Sequence, residues 1–207
     1  MANKYDINTM LKQNGGPVTI SSLLIPFFAI KPETIDAIRN ATIVGAVNKA
    51  GELWGPEQAL TCRDLFGVEM GYPVPGDMVE QTGAALGWNA MAFGAFQVPV
   101  ATVIGIYGVI LGFAYGAAIF RLPITGVRFD VGGSRVAQWN VQTLDTGYST
   151  AAMTDALSPQ GGVTKSPIIV AEDITVTIFE YVRTINTVYN PVWLGVTVEK
   201  QGVTLKP

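Results

Sequence analysis

Histidine is absent from all 207 residues. That removes the commonest general base, the commonest metal ligand and the usual partner of a nucleophilic Ser or Cys. Cysteine occurs once, at Cys62, so no internal disulfide can form, and the residue reads as a small buried apolar side chain. Charge is scarce as well. Only 14% of residues are charged, against roughly 25% in an ordinary soluble domain. Lys and Arg number 13 and Asp and Glu 16, with no basic stripe. Nucleic-acid binding draws its affinity from clustered cations, so no direct nucleic-acid contact is expected. Phosphate loops, dinucleotide fingerprints, GxSxG elbows, CxxC pairs and EF-hand loops are all missing. The reading is therefore not an enzyme: no catalytic, cofactor-binding or metal residue is assigned, and no cofactor is expected.

What is present is apolar surface. Hydrophobic residues make up 49% of the chain, and with so little charge part of that surface must be covered, either by lipid or by neighbouring subunits. Met1–Asn8 opens polar with Asp6, so no secretion signal is expected. Asn14-Gly15-Gly16-Pro17 breaks any regular element, which makes residues 1–17 a flexible arm. An N-terminal segment, 18–80, follows. It starts with a short β-leaning stretch, Val18–Ile30, that Pro26 confines to an edge or bend. Pro32-Glu33 then opens a helix near 33–49, with Gly51 as its stop. Residues 51–80 read as loops with at most short elements.

The sharpest change in composition lies near residue 80, where a β-rich domain, 81–207, begins with an apolar segment. Residues 81–120 carry no charge at all. Within them, Pro99–Phe120 is long enough to cross roughly 30 Å of hydrocarbon as a helix, and Gly108, Gly112 and Gly116 would let two such helices approach closely. Against this stands the density of β-branched residues and the alternation of Val98, Val100, Thr102, Ile104 and Ile106, which suit a strand buried on both faces. The balance favours buried sheet or subunit interface, with a transmembrane helix near 99–120 as the alternative.

From Pro123 onward alternation is plain. Thr125, Val127, Phe129 and Val131 share one face and Arg128 and Asp130 the other, and Gly132-Gly133 makes a turn. Val136–Leu144 with Trp139 and Val141 inward, Ile174–Tyr181, and Val192–Val198 read as further strands, while Asp145–Pro167 reads as a long exposed loop. Cys62-Arg63-Asp64 is the only local trio with reactive potential, and a structural Cys beside a surface ion pair is the better reading. Asp130, Glu172 and Asp173 read as solvated turn carboxylates rather than a cation site, and Asn40-Ala41-Thr42 as a chance glycosylation pattern. The aromatics Trp139, Phe179, Tyr181, Tyr189 and Trp193 suit core and interface anchors better than a sugar or base platform. The interface candidates are Trp139, Phe179, Tyr189, Trp193, Gly108, Gly112 and Gly116.

Ser166-Pro-Ile-Ile-Val-Ala-Glu-Asp-Ile-Thr-Val-Thr-Ile-Phe-Glu-Tyr181 and Asn190-Pro-Val-Trp-Leu-Gly-Val-Thr-Val-Glu199 resemble the closing strands of viral jelly-roll capsid domains, with Arg121–Val131 as an earlier strand. The resemblance covers the C-terminal half only. It implies a mainly β fold, a jelly roll or sandwich with an N-terminal arm and one short helix. It also implies a capsid or minor coat component, with a tailless bacteriophage that carries a membrane beneath its shell as one setting. Its partners would be copies of itself, other virion proteins and, in that setting, a lipid membrane, and its location the virion. The alternative is an integral membrane protein with a β-rich soluble portion.

Overall fold

A strand that is apolar on one side is stable only when a second layer covers that side. The alternating segments of this chain meet that demand in a two-sheet sandwich. The computed structural model describes residues 20–65, 81–113, 122–144, 160–186 and 188–202. In chain order these form β1 (Ile20–Leu23), β2 (Ile25–Pro26), helix α1 (Pro32–Trp54), β3 (Leu60–Asp64), β4 (Gln81–Thr82), β5 (Gly87–Gln97), β6 (Thr102–Phe113), β7 (Ile124–Val131), β8 (Ser134–Asn140), β9 (Gln160–Val170), β10 (Thr175–Val182) and β11 (Val188–Lys200).

One sheet runs β1-β8-β7-β10-β5 and the other β2-β9-β6-β11-β3, with β4 also on β11. Let β3 and β5 to β11 be counted first to eighth. The first then pairs with the eighth, the second with the seventh, the third with the sixth and the fourth with the fifth, all antiparallel. That nesting is a long hairpin rolled into two facing sheets, the jelly roll. The fold is mainly β, as the alternation led one to expect. β3 pairs with β11 residue by residue from Leu60↔Lys200 to Asp64↔Val196, so the stretch before residue 80 contributes to the same sandwich.

The two ends of the sandwich differ. At one end the connections are tight: residues 98–101, 132–133 and 171–174. They are tied together by the Val98 N–H on Ile174 O (3.1 Å) and the Gly132 N–H on Thr175 O (2.8 Å). Gly132 and Gly133, at φ +58° and +80°, make the two-residue hairpin turn that the twist of paired strands favours. β6, β8 and β10 finish at the other end, where Arg183 N–H donates to Pro123 O and Asn186 N–H to Gly83 O.

Between the sheets lies the main core. Phe129, Trp139 and Trp193 stack there with centroids 4.7 to 6.3 Å apart, surrounded by Ile104, Ile106, Leu111, Val127 and Ile178. β1 pairs with β8 at the edge of one sheet and β2 with β9 at the edge of the other. The segment therefore straddles the seam, with buried Leu24 at the crossing. As expected, Pro26 sits at an edge.

Helix α1 lies on the outer face of the β9-β6-β11 sheet and makes a second core with Val103, Tyr107, Val163, Val196 and Val198. It buries Ile38, Thr42, Ala46 and Ala50, one per turn. Close approach is possible because β6 presents Gly105 there. A Cβ at that position would come within 2.6 Å of Thr42 Cγ2.

Several expectations are corrected. The segment 102–113 is strand β6 rather than part of a membrane helix, and among the described residues no helix is long and apolar enough to cross a membrane. Its hydrophobicity comes from burial on both faces. Ile104 and Ile106 face the other sheet, and Val103 and Tyr107 face α1. The helix passes Gly51 and stops at Gly55, whose φ of +90° no ordinary helical residue adopts. The C-terminal part of the supposed loop 145–167 is β9, whose ladder to β6 skips from Val163↔Gly108 to Ile168↔Ile106. Lys165 and Ser166 are exposed in that bulge, which also houses Pro167 without breaking the strand. Thr125 sits at another skip, since Val182 pairs with Ile124 and Tyr181 with Gly126. Cys62 is exposed on β3.

Candidate functional site

The expected interface residues do not share a surface. Trp139, Tyr189 and Trp193 are buried between the sheets. Gly108 lies on the α1 side of β6, where an added Cβ would meet Gly162 O at 2.6 Å, and Gly112 pairs with Asn190 in the same ladder. Gly116 lies outside the described residues. Phe179 lies on the outer face that no helix covers, half-buried beneath a charged side chain.

That face belongs to the β1-β8-β7-β10-β5 sheet, on the side away from α1. Three ladder rows map it. Phe179 pairs with Ala90 and Arg128, and Arg128 with Gln138. In the next row Tyr181 pairs with Trp88 and Gly126, and Gly126 with Asn140. In the third, Thr177 pairs with Ala95 and Asp130. Residues directly opposite on one face stand about 5 Å apart, so these side chains form one patch.

The Arg128 guanidinium lies 4.0 Å from the Phe179 ring centroid and 5.3 Å from that of Trp88. A guanidinium over an aromatic face contributes about 0.5–2 kcal/mol per ring. Arg128 Nε is 3.1 Å from Asp130 Oδ1, near enough for an ion pair but not aligned for a hydrogen bond. Trp88 meets Tyr181 edge to face at 5.3 Å. Its indole reaches across β10 onto Gly126, where an added Cβ would sit 3.3 Å from the ring. Trp88 remains 37% exposed and Tyr181 42%. The sequence places Arg128 on the polar face of its strand without a role, and Trp88 carries no signal in the uncharged segment 81–120. What unites them in the fold is phase: each falls on the outward beat of its strand, together with Phe179 and Tyr181.

Behind that face, pointing inward, Glu180 pairs in register with Asn89 and Val127. Its residue is only 2% exposed, its Oε2 has no hydrogen-bond partner among the described residues, and burial pushes its carboxyl up to about 7. Alternation with Val176, Ile178 and Val182 places it there. Trp139 Nε1 and Tyr189 OH are likewise buried without a partner among the described residues.

The other candidates have structural roles. Glu172 Oε1 accepts from Trp54 Nε1 at 2.7 Å and its Oε2 from the Ala101 N–H at 2.5 Å, so it ties α1 to a turn in which Ala101 holds φ +60°. Partial desolvation raises the Cys62 thiol above its ordinary 9.0, outweighing nearby Arg39. Proximity to cations therefore does not activate it. Arg39 instead pairs with Asp64 at 2.7 Å and Arg63 with Glu199 at 2.5 Å, fastening edge strand β3 to α1 and β11. Among the described residues no cluster of Cys, Asp and Glu gathers to hold a metal.

No known protein-family model matches the chain, and no curated protein is similar to it. Among solved structures, it is similar to a chain in the structure of infectious bursal disease virus, Gx strain, at 11% identity and a TM-score of 0.37. The overlap covers 70% of this chain and 33% of that one, so this chain spans about a third of its neighbour's length. The jelly-roll assignment rests on strand order, not on this likeness.

Proposed function

We propose that this chain is a virion structural protein, a capsid or minor coat component, that works by self-assembly rather than by chemistry. The observation that carries the reading is that the middle of α1, from Asn40 to Asn48, turns Ala41, Val44 and Val47 outward and no charge, between exposed Asp36 and Glu52. Ile38, Thr42, Ala46 and Ala50 face the sheet. On the solvent side Ala37 and Ala41 are exposed, Val44 is 59% exposed, and Val47 and Leu53 are exposed too. From Asn40 to Asn48 the helix carries no charge. A surface helix ordinarily turns a charged face outward, so a second apolar face calls for cover. The jelly roll suits the role, being a scaffold common among coat domains, although fold alone does not assign function.

Light scattering on chain expressed without detergent tests this. Large soluble particles are expected, and Val44→Asp is expected to shift them towards free subunits without moving the thermal midpoint, because Val44 contributes little to the fold. Material that stays with the membrane fraction after carbonate washing, or a chain that remains monomeric at high concentration, overturns the proposal.

A further inference from the structure

The geometry points to a head-to-tail contact between copies of this chain, in which the outer face of α1 on one copy covers the outer face of the β1-β8-β7-β10-β5 sheet on the next. This contact rests on the self-assembly proposed above and supplies the surface that receives the helix.

Two apolar faces lie on opposite sides of the sandwich. On α1, Ala41, Val44 and Val47 point outward from the uncharged stretch Asn40 to Asn48. On the sheet, Trp88, Tyr181 and Val136 are exposed, with Leu86 and Ile185 at the rim where the Asn186 N–H donates to Gly83 O. At 37% to 70% exposure, these five side chains leave roughly 400 Å² of apolar surface in water, a size that marks a contact site. Trp, Tyr and Arg are also the side chains that anchor protein interfaces, and Arg128 is held between Phe179 and Trp88. Beside the rings the face is low. Ala90 and Ala95 are exposed there, and the helix turns only Ala and Val towards them.

Dimensions agree. On its own sheet α1 already crosses from β3, where Arg39 pairs with Asp64, to the far side of β9, where Trp54 bonds Glu172, so crossing a neighbour's sheet repeats a packing this helix makes. β5 and β8 are three strand spacings apart, about 14 Å. From Val47 back to Asp36 the helix rises about 16 Å. With Val47 over Trp88, Asp36 therefore stands at β8, beside Arg135. Charge favours that direction. Glu33 and Asp36 are exposed and make no ion pair among the described residues, and Lys31 offsets only one of them. Lys49 is tied to Glu52 at 2.9 Å. On the sheet, Arg128 and Arg135 stand against the single carboxylate of Asp130, while Arg183 and Asp173, just beyond the two ends of β10, offset each other. Each face laid on its own kind would bring like charge together, as with Asp36 against Glu52 in an antiparallel helix pair about Val44. Since every copy carries one face of each kind, the contact repeats from copy to copy and closes into a ring or runs on as a rod.

Cross-linking between two populations tests the contact. In a Cys62→Ser background, chain carrying Val44→Cys is mixed with chain carrying Ala90→Cys, allowed to assemble, and treated with a short bis-maleimide. The mixture is expected to give a covalent dimer that neither population gives alone. Val44→Cys linking to itself, or Ala90→Cys to itself, overturns the contact, because like faces would then meet. Particles that form without any such link overturn this contact and leave self-assembly standing, whereas a wild-type chain that stays monomeric overturns both. The charges give a second readout that needs no cysteine. Arg135→Glu is expected to raise the concentration for half-assembly several-fold, and adding Asp36→Arg to bring it most of the way back. An Arg135→Glu defect that Asp36→Arg does not relieve overturns the placement of the first turns of α1 at β8.

Discussion

The carboxylate of Glu180 sits where water scarcely reaches it, and that placement ties stability to pH. Its ordinary value is 4.5 and its folded value about 7. Between those limits the folded protein keeps a proton that the unfolded chain has lost, so stability falls as pH rises. The effect is absent below about pH 4.5 and complete above about pH 7. At about 1.4 kcal/mol per unit it amounts to roughly 3 kcal/mol. Denaturant midpoints taken at pH 5 and pH 8 are expected to differ in the wild-type chain and to converge in Glu180→Gln. A midpoint that still falls with pH in that variant would assign the dependence elsewhere. At this scale the sequence was legible where a residue's phase lay inside an unbroken ladder, and not for Thr125, at a register skip, or Val100, exposed in the turn before β6. Val127, Phe129, Trp139 and Val141 are buried as their alternation implied. Cys62 misled because exposure is a property of its edge strand, and nothing local to Cys62-Arg63-Asp64 says that β3 is an edge.

Helices and strands were legible to the extent that their limits are set locally. The start of α1 at Pro32 follows from proline geometry. Its end does not follow from Gly51, because a glycine inside a helix costs only about 1 kcal/mol, which packing on the sheet offsets. The long apolar stretch around β6 was ambiguous for a related reason. A strand covered by a sheet on one side and a helix on the other has the same composition as a span covered by lipid. What separates them is the partner, Val196 and Val198 of β11 and Thr42 of α1, all far away in sequence. Gly105 is where that partnership is closest. Gly105→Val is expected to lift α1 from the sheet and to lower stability by about 1–3 kcal/mol, the usual range for overpacking. Denaturation with and without Thr42→Ala checks it: removing the methyl that Gly105 faces should recover part of the loss.

At the level of the whole molecule, charge and turn length sort the sandwich into distinct surfaces. One face is covered by α1, and the other carries the aromatic and arginine patch. One end is closed by the short turns at 98–101, 132–133 and 171–174, and β6, β8 and β10 finish at the other. This arrangement was not legible in the sequence, since strand pairing joins residues as distant as Leu60 and Lys200. That same separation governs how the fold is reached. Domains dominated by such distant pairings fold in roughly milliseconds to seconds. The segment Ile20–Pro26 is translated long before β8 and β9, the strands whose edges it joins, so it has nothing to dock on until the sandwich exists. Closing the seam is then a late event. Leu24→Ala, which empties a buried site and should cost about 2–5 kcal/mol, is expected to put that cost almost wholly into faster unfolding and leave the folding rate near wild type. A chevron measured on the chain in dilute solution reads both limbs, and a slowed folding limb would mean that the strap is in place before the sheets it joins.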